Sequence, residues 1–139
     1  MNAKILCPLL LCLLTLPAVA ADFKVIVNTS NPATTLTKDQ ISEYLMKRTL
    51  VWPDGRAVVA VDQRPDSPVR AAFSLQIIGR AATAVKNHWH QQIFSGRAIP
   101  PAERNGDHAV IEFVKASPGA VGYVSASADT TGVKVITVR

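Results

Sequence analysis

Ala57-Val58-Val59-Ala60-Val61-Asp62-Gln63-Arg64-Pro65-Asp66-Ser67-Pro68-Val69-Arg70 joins an apolar run of strand length to the start of a helix. Ala57 to Val61 carries no polar side chain, the pattern of a strand buried in a sheet covered on both faces. Asp66-Ser67-Pro68 then supplies a polar cap residue with proline at the first helical position, where the missing N–H has no partner to lose. Val69, Phe73 and Ile77, with Ala72 beside them, form the inner face of that helix, and Gly79 ends it. A buried strand feeding straight into a helix places the chain in the α/β class.

The flanks extend the pattern. Phe23-Lys24-Val25-Ile26-Val27 alternates and is rich in β-formers, and Asn28 to Pro32 breaks it. Thr37-Lys38-Asp39-Gln40 is a capping box that opens a helix to about Lys47, burying Ile41, Tyr44 and Leu45. Trp52-Pro53-Asp54-Gly55 is a turn with an aromatic anchor. A third helix is expected over Ala82 to Phe94, packed through Trp89 and Phe94 and closed by Ser95-Gly96. Arg97 to Arg104 reads as an irregular connection. Asp107 is expected to cap a fourth helix with Val110, Ile111, Phe113 and Val114 apolar, stopped at Ser117-Pro118-Gly119. Strands at Ala120 to Val124 and Val133 to Val138 complete the order β-α-β-α-α-α-β-β, an α/β fold with a small mixed sheet flanked by helices.

The first residues set the expected compartment. Lys4 precedes an apolar run from Ile5 to Leu16, and Pro17-Ala18-Val19-Ala20 offers small residues at both positions a signal peptidase reads. Residues 1–20 are therefore expected to be a cleaved export signal, and residues 21–139 a single periplasmic domain without membrane insertion after cleavage. Cys7 and Cys12 both lie in the expected signal, so the mature chain offers no disulfide, thiol nucleophile or Cys-ligated metal. The net charge of +5 is scattered among acids rather than gathered in a stripe, which argues against nucleic acid as a partner.

The strand-to-helix junction is where chemistry is best placed. A helix start presents unpaired N–H groups and the positive end of the helix dipole, which favour an anion. Ser67 can add a hydroxyl, and Arg64 and Arg70 forked donors suited to phosphate, sulfate or carboxylate. The plainer reading of the same residues is an N-cap with two surface arginines, and Pro68 removes one donor that an anion cradle would use. His88-Trp89-His90 is spaced i, i+2, so on a helix the two imidazoles point to different faces, unlike the i, i+4 pairs of helical zinc sites. The chain has no G-x-S-x-G and no readable triad or dyad, so neither catalytic residues nor a metal or other cofactor are expected.

Three stretches together resemble the phosphate-binding proteins of high-affinity phosphate ABC transporters, which are class II periplasmic binding proteins. Leu36-Thr37-Lys38-Asp39-Gln40-Ile41 with Lys47-Arg48 and Trp52-Pro53-Asp54-Gly55 is similar to one family segment. Val59 to Ser67 resembles the strand and anion loop, with Phe73 where the family helix carries a Phe. Pro118-Gly119-Ala120-Val121-Gly122-Tyr123-Val124 is similar to the late P-G-A-I-G-Y-V signature. The resemblance implies one lobe of a two-lobed fold, and an oxyanion half-site at Gln63, Arg64, Ser67, Val69 and Arg70. Ser67 matches the family Ser, while Pro68 and Val69 stand in place of Gly and Thr. The family Arg falls on Gln63, or on Arg64 with a one-residue shift. The function implied is binding of phosphate or a related oxyanion in uptake or sensing, the cleft completed by a homodimer or an envelope protein. The alternative is an interaction module that keeps the lobe fold without the ligand.

Overall fold

The computed structural model describes residues 22–139, and the expected export signal, with both cysteines, lies outside them. The described chain folds as a mixed six-stranded sheet in the order β2-β6-β1-β5-β3-β4. At its centre β1 (Phe23–Val27) pairs antiparallel with β5 (Ala120–Ser125) and β6 (Lys134–Val138). The strand β3 (Val59–Gln63) runs parallel to β5 and to β4 (Ala102–Arg104), and β2 (Thr35–Leu36) lies parallel to β6.

Alternation along the central strands feeds two cores. Val25 and Val27 turn to one face with Val121, Tyr123 and Ile136, against Ile41, Tyr44 and Leu45 of α1 (Lys38–Leu45) and Phe73 of α2 (Pro68–Phe73). Ile26, Val61 and Val124 turn to the other, against Val110, Ile111 and Val114 of α4 (Asp107–Ala116). Phe73 stacks on Tyr123 with ring centroids 3.9 Å apart, and Phe23 meets Phe73 edge-on at 5.4 Å. Each such pair stabilises by about 0.5–1.5 kcal/mol beyond its burial.

Most expected elements form, and the departures have physical causes. The capping box at Thr37 is present in both directions. The helix from Pro68 continues past Phe73 as a π-helical segment, Ser74–Ile78, before Gly79 ends it in the left-handed conformation. The strand starts at Val59 rather than Ala57, because Ala57 bridges back to Val51 and closes the turn around Trp52, and it is buried only from Ala60 on, Val59 being 36 % exposed. Part of the expected irregular connection is β4, which takes the backbone groups along the open edge of β3. The N-cap of α4 is Gly106, not Asp107, whose carboxylate is drawn instead to Gln63 and Ser125. Phe94 does not pack α3 (Ala82–Phe94) into the core. It is 97 % exposed, while Val85 and Trp89 are buried against Met46. At 100° per residue, Phe94 stands roughly 140° around the helix from Trp89.

The Pro118–Val124 segment has its residues for steric reasons. The Trp52 indole N–H donates to Gly119 O at 2.8 Å, and a Cβ on Gly119 would stand 2.0 Å from the carbonyl oxygen of Ala57. A Cβ on Gly122 would meet Val61 Cγ1 at 2.6 Å, so α4 and β3 can close on β5 only over a glycine. Gly119→Ala is expected to lower stability by about 1–3 kcal/mol, read as a drop of several degrees in melting midpoint. An unchanged midpoint would show that this contact does not constrain the fold.

Candidate functional site

The end of β3 is polar and yet buried. Asp62 is 7 % exposed, Gln63 3 % and Arg70, in the first turn of α2, 3 %. Charged groups taken out of water must find partners, and each of these does. Asp62 faces Arg70 Nη2 at 3.4 Å and accepts from the Tyr123 hydroxyl and from the Gln63 N–H at 2.9 Å. Arg70 Nη1 donates to Gln63 O at 2.9 Å and to Glu103 Oε1 at 3.1 Å. Its Nε has no hydrogen-bond acceptor among the described residues. Beside it lies a cavity of about 130 Å³ walled by Asp62, Pro65, Arg70, Trp89, Pro101 and Glu103, among others.

Gln63 is a crosslink rather than an open contact. Its Nε2 donates to Tyr123 O at 3.1 Å and to Asp107 Oδ1 at 3.0 Å, which uses both hydrogens of the amide. Its Oε1 accepts from the Ser67 hydroxyl at 3.0 Å. Ser67 is the N-cap of α2, and its Oγ accepts from Arg70 N at 3.3 Å. Val69, half-buried against the core, is the second helical residue, so its N–H has no acceptor within the helix. The Arg64 side chain is 56 % exposed and pairs with the still more exposed Asp66 at 3.6 Å, an attraction that water largely screens.

Gln63, Ser67 and Arg70 therefore share one hydrogen-bonded cluster, with Arg64 outside it on the solvent side and Val69 contributing its backbone. Asp62, Glu103, Asp107 and Tyr123 complete the cluster and were not among the residues the sequence singled out for the site. Tyr123, inside the late signature, and Asp62, inside the stretch from Val59 to Ser67, carried a signal. Asp107 and Glu103 arrive from sequence-distant elements.

Burial pushes the Asp62 carboxyl above the usual carboxylate range, against the opposing pull of Arg70 and the Tyr123 hydroxyl. Burial, reinforced by Asp62, likewise raises Tyr123, so its phenol keeps its proton and donates it. For Asp107 burial acts upward, but the hydrogen bonds from Ser125 and Gln63 outweigh it and hold the carboxyl below its ordinary value. Among the described residues no three His, Cys, Asp or Glu side chains gather into a metal-binding group.

A raised Asp62 contributes stability that is present in acid and is lost as pH rises through its folded pKa. Arg70 limits that loss. Arg70→Met should cost about 3–5 kcal/mol near neutral pH by stranding a buried charge. The deficit should shrink as the pH falls through the raised pKa of Asp62, where the carboxyl takes up its proton. Chemical unfolding of both proteins across this range checks it, and a deficit independent of pH would place the cost elsewhere.

No family model and no curated protein matches the sequence. Solved structures do match the fold. An ABC-type phosphate transport receptor from Vibrio cholerae is 19 % identical with a TM-score of 0.67, over 85 % of this chain and 46 % of that one. A putative phosphate ABC transporter substrate-binding protein from Clostridium perfringens, with bound phosphate, is 22 % identical with a TM-score of 0.65, over 85 % and 45 %. A possible phosphate binding protein from Planctomyces limnophilus is 14 % identical with a TM-score of 0.65, over 86 % and 43 %. The chain thus spans less than half the length of these structures, and over that span it shares their α/β fold.

Proposed function

We propose that this chain is an exported, solute-binding-like module rather than an enzyme, and that it holds inorganic phosphate or a related oxyanion where β3 meets α2. What most supports the reading is the Ser67 hydroxyl at the start of α2, with Arg64 beside it, on a fold like that of phosphate receptors. A tetrahedral oxyanion seated there takes the Ser67 hydroxyl from Gln63 Oε1, accepts the Val69 N–H and draws Arg64 away from Asp66. Arg70 supports the site from below, since its ion pairs hold the end of β3 against α2.

The affinity follows from the same contacts. Exchanging one acceptor for another at Ser67 nets little, Pro68 supplies no N–H, and Gln63 adds no charge. Binding on the order of millimolar is expected from such a half-site. A second copy or an envelope protein closing over the junction would exclude water and strengthen it, and uptake or sensing would follow from which partner does so. A second reading, an interaction module that keeps the lobe fold without the ligand, is favoured by one observation. The donors of Gln63, and the hydroxyl of Ser67, are already satisfied internally.

Thermal melts of residues 22–139 against phosphate, sulfate and chloride separate the two. Ligand at about 100 times its dissociation constant adds roughly 2.7 kcal/mol, several degrees for a domain of this size. The oxyanion reading expects a phosphate-dependent rise that Ser67→Ala with Arg64→Ala abolishes. No rise at any phosphate concentration would leave the interaction reading standing.

A further inference from the structure

From Ser67 to Ala102 the chain has no Asp or Glu, while it carries Arg70, Arg80, Lys86 and Arg97. Arg70 is buried, and the other three are exposed. The same stretch ends in apolar side chains that the fold leaves in water. Ile93 is 51 % exposed, Phe94 97 % and Ile99 70 %. Lys86, His90 and Ile93 follow the i, i+4, i+7 spacing of one helix face and line one cavity. Around Phe94 the surface is a shallow depression formed with His90, Gln91 and Ser95. Two carboxylates also line the Lys86 cavity, Asp62 and Glu103, and both are engaged by Arg70.

We propose that the C-terminal end of α3, with the turn that follows, docks on an anionic lipid bilayer, Phe94, Ile93 and Ile99 entering the interface while Lys86 and Arg97 meet headgroup phosphates. Charge complementarity selects this occupant. Cations with no acid between them in the sequence, and with the two nearby carboxylates held by Arg70, are drawn to an anionic surface, and a few apolar side chains entering it anchor the contact. A stable protein interface instead needs about 20–30 residues a side around a closely packed apolar centre. Here the three apolar residues are interrupted by Ser95, Gly96 and Arg97. Among the described residues no helix is long and apolar enough to cross a membrane, so the attachment is peripheral. The oxyanion site takes no part in it.

Residues 22–139 hold every described strand and helix and none of the apolar run before residue 17, so they are the material for the test. Co-sedimentation with vesicles of phosphatidylcholine and phosphatidylglycerol is compared with vesicles of phosphatidylcholine alone. Binding to the anionic vesicles is expected to weaken with salt and to fall about fivefold for each of Lys86→Gln and Arg97→Gln. Phe94→Ser with Ile93→Ser should lower it on the order of tenfold or more. Both side chains are exposed, so an unchanged melting curve verifies that the variant is folded. Equal binding to the two vesicle types, no binding, or a serine variant that binds like the parent would overturn the proposal. A dimer in solution that the serine variant dissociates, without vesicle binding, would assign the surface to a second copy.

Discussion

The ion pair between Asp62 and Arg70 is the constraint on which the site depends. It ties the last residues of β3 to the first turn of α2, and neither group has enough water around it to be left alone. Tyr123 reaches it from β5 and Glu103 from β4, so three parallel strands and one helix converge on a single charge network. The Tyr123 ring also stacks on Phe73, which connects the polar cluster directly to the larger apolar core.

This arrangement decides what the helix start can offer. A strand end held by its own side chains has few donors to spare, and here Gln63 spends both amide hydrogens on Tyr123 and Asp107. The groups that remain are the Arg64 guanidinium and the Val69 N–H, while the Ser67 hydroxyl can serve only by leaving Gln63 Oε1. Rigidity is gained at the cost of donors. The junction is pre-organised in position, and on the proposed function an anion there is held weakly until another surface covers it.

The fold was legible where local chemistry and packing agree. The Thr37 capping box, the Ser67-Pro68 helix start, the left-handed stop at Gly79 and the glycines of Pro118–Val124 each follow from a backbone or steric requirement that shows in the sequence. Elements set by distant partners were not legible. β2 and β4 are two and three residues long, too short to carry a period, and β4 exists because β3 has an edge to fill. Phe94 looked like a core residue because hydrophobicity does not report orientation on a helix that has already spent its inner face on Val85 and Trp89. The site divides the same way. Ser67 and Arg64 were readable as a helix start with a neighbouring cation, whereas the commitment of Arg70 to Asp62, and of Gln63 to Asp107, depends on partners 8 and 44 positions away in the chain.

A titration of ¹⁵N-labelled residues 22–139 with inorganic phosphate, followed residue by residue by NMR, tests the account most directly. Shifts should concentrate at the amides of Ser67 and Val69 and at the Arg64 side chain, while the buried Arg70 guanidinium and the Gln63 side-chain amide stay on their internal partners. Shifts centred on Arg70 with loss of its pairing to Asp62, or no shifts at the start of α2, would contradict it.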